Sequence, residues 1–325
     1  MNRNRIKTIL NNAAGKNICV IGDIMLDRYL LGDVKRISPE APVQVFNIKK
    51  SEPKLGGAAN VCLNIKALGA NPIIIGVGGY DNDFEELEYI FSQLKIETSG
   101  LIKDSKRLTT SKTRIIADSH HLLRIDSETV DPVDSDMEKK IFQFLQKNSG
   151  KFEFIVVQDY NKGVLTKNII KGLTRFSREN SKKILVDPKF ENFFEYKNVF
   201  LFKPNKKEIE DAFGIKVKSE SDMEKLGRRL IKQIKCKNLV LTLGEKGMLF
   251  FEKPDGKLKI DIMKTKARKV ADVSGAGDTV ISTIAVALAG NATTREAVEL
   301  ANIAAGLVVE EVGIVPIEKE RLINY

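Results

Sequence analysis

The sequence predicts an α/β protein with a mostly parallel sheet covered by helices on both faces, together with a small second β-sheet. Short apolar runs that end at Gly or Asp alternate with helical patterns along most of the 325 residues. This alternation is typical of parallel strands joined by crossover helices. Two β-rich stretches, 30–50 and 109–124, interrupt it. We expect a single domain, 1–325, in which these two stretches form the small sheet.

The individual elements follow from the hydrophobic pattern in chain order. Continuous apolar runs predict buried strands at 17–21, 73–77, 154–157, 183–186, 199–202 and 239–243. Apolar residues at helical spacing predict helices at 58–68, 83–94, 137–146, 167–179, 208–213, 222–234, 277–289 and 295–308. No internal repeat, linker or low-complexity segment divides the series, so we expect one unit.

The two β-rich stretches contain Val43-Gln44-Val45-Phe46 and Thr113-Arg114-Ile115-Ile116. They indicate a small antiparallel sheet. Inserted near the carboxyl ends of the main strands, this sheet would cover a ligand in the crevice where open α/β sheets bind their substrates. We therefore interpret it as a lid.

The charge of the chain bears on its partners. It carries 53 Lys and Arg residues against 43 Asp and Glu, a net charge of +10. The basic residues are scattered rather than gathered into an arm, so we expect no nucleic-acid partner. A solvated Lys-rich surface and a basic cleft that attracts phosphorylated small molecules both account for the excess.

The cysteines, histidines and apolar runs exclude disulfide-rich, zinc-binding and membrane-spanning proteins. Cys19, Cys62 and Cys236 lie too far apart for a disulfide framework or a zinc-ligand spacing. His120 and His121 are the only histidines, which excludes a multi-histidine metal site, and we expect a surface pair. The N-terminus lacks an apolar signal segment, and no apolar run is long enough to span a bilayer. We expect a cytoplasmic protein with no membrane partner.

A run of small residues at 271–279, Ala-Asp-Val-Ser-Gly-Ala-Gly-Asp-Thr, precedes an apolar helical stretch. Backbone amides and the dipole at a helix N-terminus hold anions, and glycine lets a phosphate approach closely. Asp278 would accept a proton from a hydroxyl group while Gly275, Ala276 and Gly277 stabilise a transferred phosphoryl group. An isolated Gly-Ala-Gly-Asp is more simply a turn followed by a capping aspartate.

Two separated motifs carry a family resemblance. Residues 271–279 resemble the C-terminal signature of the ribokinase-like (PfkB) carbohydrate kinases, and Leu55-Gly56-Gly57-Ala58-Ala59-Asn60 resembles their N-terminal Gly-Gly element with its asparagine. The resemblance runs from about residue 18 to about residue 315. It implies a three-layer sandwich with a β-sheet lid, ATP and Mg²⁺ as cofactors, and Asp278 as catalytic base. Asp272-Val273 departs from the family's Asp-Thr and affects only a side-chain contact there.

The resemblance also implies residues that contact the sugar. In this family the aspartate after the first strand acts with the Gly-Gly pair and the asparagine, so Asp23, Gly56, Gly57 and Asn60 are carried over. Asp27 is a further candidate. Without the resemblance, Asp23 is equally well explained as a turn residue.

On the nucleotide side, Asn205-Lys206-Lys207-Glu208 resembles the family's Asn-x-x-Glu element. The resemblance implies that Asn205 and Glu208 position Mg²⁺ and phosphate, with Glu208 acting through water, as Mg²⁺ retains several waters in such sites. The same four residues would also start a helix with an asparagine cap.

Further along, Thr242, Gly244 and Gly247 resemble the family's nucleotide-side turn. Asn302 lies on a helix that passes near the adenine in this family, although close helix packing through alanines explains that segment equally well. The sequence has no Walker A pattern and no Gly-x-Gly-x-x-Gly after a strand, which excludes P-loop and dinucleotide sites.

A narrower resemblance is to the heptose 7-phosphate kinase branch of the family. It is carried by the stretch 22–43, which includes Arg-Ile-Ser-Pro-Glu-Ala-Pro, and by Thr-Thr-Ser-Lys-Thr-Arg at 109–114 and Asp-Tyr-Asn-Lys-Gly at 159–163. It implies ATP-dependent phosphorylation of D-glycero-β-D-manno-heptose 7-phosphate at the anomeric oxygen. The product would be the 1,7-bisphosphate used in lipopolysaccharide-core assembly.

The distal phosphate of such a substrate requires a cationic pocket, because Arg and Lys pair well with a phosphate dianion. The candidates are Arg36, Lys112, Arg114, Arg124, Lys162 and Lys189, of which we predict Arg36, Lys112, Arg124 and Lys189. For each of them a solvated surface charge is the alternative.

Three expectations concern the whole molecule. Bifunctional enzymes of this branch carry a nucleotidyltransferase domain after the kinase half, and the residues after Ile317 are too few for one, so we expect either a kinase only or the first domain of such an enzyme. Exposed β edges of the lid favour a homodimer. A kinase of another sugar or sugar phosphate and a non-catalytic sugar-phosphate sensor on the same fold remain as alternatives.

Overall fold

The structure, a computed structural model, describes residues 1–118, 120–253, 256–267, 269–311 and 313–325. Its strands are β1 (Asn17–Gly22), β2 (Ile24–Ile37), β3 (Gln44–Gly57), β4 (Asn71–Gly78), β5 (Leu101–Lys103), β6 (Thr110–Ala117), β7 (His120–Ser127), β8 (Phe154–Gln158), β9 (Lys183–Asp187), β10 (Leu201–Phe202), β11 (Asn238–Thr242), β12 (Met248–Glu252) and β13 (Lys259–Met263). Its helices are α1 (Arg3–Ala13), α2 (Ala58–Ala67), α3 (Asn82–Gln93), α4 (Ser135–Lys147), α5 (Lys167–Glu179), α6 (Lys206–Phe213), α7 (Glu220–Ile234), α8 (Ala276–Ala289), α9 (Thr294–Val308) and α10 (Lys319–Ile323).

A nine-stranded sheet forms the middle layer, in the order β13-β12-β11-β10-β9-β8-β1-β4-β5. Neighbouring strands pair in parallel from β11 to β5, and β12 and β13 extend the other edge as antiparallel strands. β1, β8, β9 and β11 bury nearly every residue, as parallel strands covered on both faces do. The predicted mostly parallel sheet is confirmed.

Helices cover both faces of this sheet. α1, α2, α3, α8 and α9 contribute to the core on one face, and α4, α5 and α7 to the core on the other. α5 is an example of how the sequence determines a helix. Ile169, Leu173 and Phe176 form its buried face, and Thr166 caps its first turn by accepting from the amide of Ile169. α8 is apolar along its length and lies between α2 and α9, so almost all of it is buried. Three layers result.

Several elements were not predicted from the sequence. They are α1, α10, β5, β12 and β13. α1 packs Ile6, Ile9, Leu10 and Ala13 into the core, at helical spacing within an otherwise polar segment. The predicted helices agree with the observed ones to within about two residues, and the prediction for 167–179 matches α5.

The small sheet has the order β3-β2-β6-β7. β2 and β3 pair antiparallel, as do β6 and β7, but β2 and β6 pair in parallel between Met25–Gly32 and Thr110–Ala117. The expectation of an antiparallel sheet is therefore wrong for its central pair, because two hairpins distant in sequence meet there side by side. β2 begins two residues after β1 ends, so this sheet, which we call the lid, starts at the carboxyl edge of the large sheet.

Both histidines, His120 and His121, are exposed on β7, as predicted. Cys19, Cys62 and Cys236 are buried free thiols. Among the described residues, no helix combines the length and the hydropathy needed to cross a bilayer.

Candidate active site

The carboxyl ends of β1, β8 and β9 meet the N-terminus of α8 at one point, where Asp278 lies in the first turn of that helix. Asp278 is 4% exposed. Three side chains donate hydrogen bonds to its carboxylate: Asn60 Nδ2 to Oδ2 at 2.7 Å, Gln158 Nε2 to Oδ1 at 3.0 Å and Tyr160 Oη to Oδ1 at 3.0 Å. The predicted base thus lies in a buried, polar pocket together with the predicted sugar contact Asn60.

Burial and the nearby carboxylate of Asp187 raise the pKa of Asp278 to about 7. The hydrogen bonds from Asn60 and Tyr160 and the charge of Lys203 act in the opposite direction. A carboxylate with its pKa near neutrality is suited to general-base catalysis, because it is partly ionised and also basic enough to take a proton.

The turn before α8 has the geometry of an anion site. Gly275 has φ +77°, a left-handed conformation that favours glycine, and it is the N-cap of α8. The amides of Ala276 and Thr279 bond to backbone carbonyls. Among the described residues, the amides of Gly277 and Asp278 are therefore the first-turn donors that remain for an anion. These two amides belong to the turn in which the sequence predicts an anion site.

Asp272 holds this turn in place. Its carboxylate accepts hydrogen bonds from the amide of Ser274 at 2.9 Å and from the amide of Gly313 at 3.0 Å. Val273, the departure from the family pattern, is exposed. The turn is thus fixed by the aspartate, without a side-chain contact from its neighbour.

Lys203 is a site residue that the sequence reasoning missed. It is 2% exposed, and its Nζ lies 3.0 Å from Asp187 Oδ1. A Cβ atom at Gly277 would be 3.4 Å from the same Nζ, so a buried cation faces the anion turn. Its position two residues before Asn205, at the end of a buried strand, was the available signal.

Asp23, predicted to contact the sugar, bonds to the backbone of a neighbouring loop. Its Oδ2 accepts from the amides of Tyr160 at 2.7 Å and Lys162 at 3.1 Å, and its Oδ1 accepts from the amide of Val164 at 3.3 Å. The side chain is buried. These three backbone amides make Asp23 a holder of the loop 160–164, while Oδ1, with a single donor, retains one lone-pair site.

Asp27 lies on the lid beside the Gly-Gly pair. A Cβ atom at Gly56 would be 2.2 Å from Asp27 Oδ2, so only glycine fits there. Arg114 bonds to the other oxygen of Asp27, and its guanidinium lies over the Tyr29 ring at 5.2 Å. Gly57 follows as the N-cap of α2, with its Cβ position close to the carbonyl of Asp23.

The predicted cations for the distal phosphate fall into separate places. Lys112 and Lys162 share Glu128, at 3.7 and 2.8 Å, and Lys112 also faces Asp126 at 3.4 Å. Arg124 makes two bonds to Asp126, at 2.8 and 3.0 Å, and is exposed. The structure brings Lys112, Arg114 and Arg124 to the half of the β6–β7 pair that runs from its middle to Ser111 and Ser127, with Lys162 joined to Lys112 through Glu128.

Arg36 and Lys189 lie elsewhere. Arg36 is exposed near the far end of β2, nine residues beyond Asp27, and pairs across the hairpin with Val45. Lys189 Nζ lies 2.5 Å from Glu208 Oε1 and 5.1 Å from the centre of the Tyr160 ring. Lys189 therefore faces the region predicted for phosphate transfer.

Asn205 and Glu208 form a capping box at the start of α6. Asn205 Oδ1 accepts from the amide of Glu208, and Glu208 Oε2 accepts from the amide of Asn205, both at 2.8 Å. With Oε1 bound by Lys189, both oxygens of this carboxylate have protein partners. Within the described ranges no group of three or more acidic, histidine or cysteine side chains could hold a metal ion. The donor set suits a cation held chiefly by phosphates and waters.

The remaining nucleotide-side residues lie near the end of β11. Thr242 forms a β-bridge with Asn205. The short 3₁₀ turn that follows begins at Gly244, and Gly247 is its C-cap. Asn302 on α9 is buried and donates to the carbonyl of Lys264 at 2.7 Å, so it ties the segment after β13 to the helix.

Comparison with known proteins agrees with this architecture. The family described as pfkB family carbohydrate kinase matches residues 15–320. A protein named Bifunctional protein HldE from Aliarcobacter butzleri is 41% identical over 309 residues, covering 95% of this chain and 64% of that protein. Its namesake from Geobacter metallireducens is 39% identical, covering 96% and 63%. The chain thus spans slightly less than two thirds of the length of these relatives.

Solved structures share the fold at low identity. Phosphofructokinase-2 from Escherichia coli, in complex with potassium, has a TM-score of 0.76 at 18% identity and covers 95% of this chain and 97% of its own. A ribokinase from Arabidopsis thaliana, complexed with ribose and ATP, has a TM-score of 0.74 at 16% identity and covers 96% and 99%. These likenesses show the ribokinase-like fold, a large parallel sheet with a lid.

Proposed function

Because the chain belongs to the pfkB family of carbohydrate kinases, we propose that it transfers the terminal phosphoryl group of ATP to a hydroxyl group of a sugar phosphate. The observation that carries this proposal is the position of Asp278, a buried carboxylate with its pKa at about 7, in the first turn of α8 beside free backbone amides. A general base and an anion site at one helix terminus supply the two requirements of phosphoryl transfer.

In the proposed reaction Asp278 takes the proton of the sugar hydroxyl. The oxygen of that hydroxyl forms a bond to the terminal phosphorus of ATP, and the bond to the bridging oxygen breaks, so that ADP leaves. The amides of Gly277 and Asp278 bind the transferring group, with Lys203 and Lys189 as nearby cations. Gly275 and Ala276 shape the turn that presents these amides.

We assign ATP to the side of Asn205, Thr242, Gly244, Gly247 and Asn302. Mg²⁺, bound by the nucleotide phosphates, would supply charge neutralisation. Glu208 would orient it through a bound water, since both of its oxygens already have protein donors.

For the acceptor we propose D-glycero-β-D-manno-heptose 7-phosphate, phosphorylated at its anomeric oxygen for lipopolysaccharide-core assembly. The Arg-Ile-Ser-Pro-Glu-Ala-Pro run and the relatives named HldE support this choice. The sugar would be bound by Asp23, Asp27, Gly56, Gly57 and Asn60, with Asp23 using the lone-pair site that its Oδ1 retains.

The distal phosphate would be bound by the cluster of Lys112, Arg114, Arg124 and Lys162, because these basic residues lie close together on and beside β6 and β7. These cations are already paired with Asp126, Glu128 or Asp27, so a phosphate would compete with those carboxylates. We propose Arg36 only for a surface contact, since it lies far along β2.

We further propose that the chain acts in the cytoplasm as a homodimer formed through the lid. Large apolar side chains are exposed on the lid strands and the turn between β2 and β3, a composition typical of an interface. They are Ile37, Val43, Ile48, Leu122, Leu123 and Ile125.

The test is ADP release with magnesium and ATP across heptose 7-phosphate, fructose 6-phosphate, ribose and adenosine. Asp278→Asn is the control enzyme. A preference for heptose 7-phosphate that the variant loses would establish the proposal. Preference for another compound would retain a kinase with a different acceptor, and binding without ADP release from any acceptor would indicate a sensor.

A further inference from the structure

The carboxylate of Asp278 is held asymmetrically by residues far from it in sequence. Oδ1 accepts two hydrogen bonds, from Gln158 Nε2 and Tyr160 Oη, both at 3.0 Å. Oδ2 accepts one, from Asn60 Nδ2 at 2.7 Å. A carboxylate oxygen has about two lone-pair sites, so Oδ1 is filled by protein donors and Oδ2 retains one site.

We infer that Gln158 and Tyr160 are positioning residues for the base: they occupy Oδ1 and thereby direct the substrate hydroxyl to Oδ2. This inference rests on the proposed function, because it concerns the proton that the acceptor gives up. In the step itself, the hydroxyl proton moves to Oδ2 as its oxygen bonds to phosphorus. Asn60, already bound to Oδ2 and predicted to contact the sugar, lies where the acceptor must enter.

The orientation of Gln158 is fixed by its surroundings. Its Nε2 donates to Asp278 Oδ1 and also to Asp187 Oδ2 at 3.2 Å, so each of its two N–H groups faces a carboxylate. Gln158 is 1% exposed, and its Oε1 has no partner among the described residues. A flipped amide would turn its oxygen toward two carboxylates, so the observed orientation is the one the charges require.

Tyr160 is fixed by the loop that carries it. The carboxylate of Asp23 binds the amides of Tyr160, Lys162 and Val164 and so sets the backbone of this loop. Lys189 Nζ lies over the ring at 5.1 Å. The hydroxyl is thus brought to Asp278 by a backbone that Asp23 holds.

The charges and hydrogen bonds around Asp278 determine how its pKa would change if one donor were removed. Asp187 raises its pKa, whereas Lys203 and the hydroxyl of Tyr160 lower it, and Lys189 also lies within electrostatic reach. Removing the hydroxyl takes away a donor to the charged form. The pKa of Asp278 must then rise, whereas a merely structural role for Tyr160 would leave it unchanged.

The experiment uses the full chain with its aspartate carboxyl carbons labelled with ¹³C, and follows the titration of Asp278 by NMR. Asp278→Asn identifies the signal. Tyr160→Phe should move the midpoint upward by about one pH unit, since a hydrogen bond to a charged group is of that size. The matched control is Tyr196→Phe, which removes a buried hydroxyl bonded to another carboxylate, that of Asp159 at 2.6 Å, and should leave the midpoint in place.

Turnover with the accepted sugar gives the second readout. Tyr160→Phe should lower kcat about tenfold at neutral pH, with KM for the sugar within about twofold, because positioning affects the transition state more than binding. Gln158→Met, which has a similar length and no donor, should raise the same midpoint and serves if Tyr160→Phe does not fold. A midpoint that stays in place in both variants would overturn the inference. Because the titration needs no sugar, a wild-type chain that phosphorylates nothing would instead overturn the proposed function.

Discussion

Lys189 Nζ lies 2.5 Å from Glu208 Oε1. The sequence predicts that Lys189 binds the distal phosphate of the sugar and that Glu208 positions Mg²⁺ on the nucleotide side. The pKa of Lys189 is raised, with burial opposing and the carboxylates of Glu208, Asp187 and Asp278 favouring the charged form. These three carboxylates keep Lys189 positively charged beside the proposed site of phosphate transfer.

Substituting Lys189 should therefore affect catalysis more than acceptor binding. For Lys189→Met we expect kcat to fall about 10²-fold, the loss typical of one electrostatic contact in a transition state. KM for the sugar phosphate should change less than about twofold. Steady-state kinetics with each substrate varied in turn measure both quantities.

Lys112→Met is the matched comparison for this prediction. Lys112 belongs to the lid cluster with Glu128 and Asp126, so its loss should raise KM for the sugar phosphate and spare kcat. If Lys189→Met instead raised this KM and left kcat unchanged, Lys189 would hold the distal phosphate as the sequence suggested.

The pH dependence of turnover should report Asp278. Its pKa is raised to about 7, so the carboxylate is protonated below that pH and cannot take a proton from the acceptor. We expect log kcat to fall with a slope of about one as pH decreases below about 7, and to level off above it. A profile that is flat from pH 5 to 8 would contradict this assignment.

Gly56 is predicted to admit no side chain. A Cβ atom there would lie 2.2 Å from Asp27 Oδ2, so Gly56→Ala should displace Asp27 and raise KM for the sugar by about tenfold or more. Gly150→Ala is the control, since nothing lies within 4 Å of a Cβ atom at that position. Equal KM values for the two variants would indicate that Asp27 does not bind the sugar.

The buried pair of Lys203 and Asp187 gives a stability prediction. Removing one partner leaves an unpaired buried charge, so Lys203→Met and Asp187→Asn should each lower the free energy of unfolding by about 3 kcal/mol. The double variant should lose markedly less than the sum of the two. Urea denaturation of all four proteins measures the coupling, and additive losses would show that the ion pair is not the source.

The proposed dimer can be tested through β7. Ile125→Lys places a charge among the exposed apolar residues of the lid and should yield monomers in sedimentation analysis. Ile215→Lys, at an exposed isoleucine outside the lid, is the control and should leave the assembly unchanged. A wild-type chain that sediments as a monomer would remove the dimer from the proposal.

Much of the large sheet could be predicted because its signals are local. β8 and β9 are continuous apolar runs, and α5 has a regular apolar stripe, so the sequence alone locates them. α1 was missed because its four buried residues are surrounded by polar and basic ones. β12 and β13 were missed because they break the alternation that defines the rest, following β11 as an antiparallel pair.

The parts of the site that escaped prediction depend on non-local contacts. Asp278 lies in a recognisable sequence motif. Gln158 and Tyr160, which bond to it, lie 120 and 118 residues away in the sequence. These contacts form because β8 lies between β9 and β1 in the folded sheet. The parallel pairing of β2 with β6 has the same origin, since no local pattern specifies which strand a hairpin will join.

Asp23 is the single residue between β1, in the middle of the large sheet, and β2, the lid strand that reaches outward to Ile37. Its backbone joins the two sheets, and its carboxylate accepts hydrogen bonds from the loop 160–164. A shift of the backbone at Asp23 would therefore also displace Tyr160, whose hydroxyl donates to Asp278. Through this one residue the small sheet, the large sheet and the pocket of Asp278 share a single backbone joint.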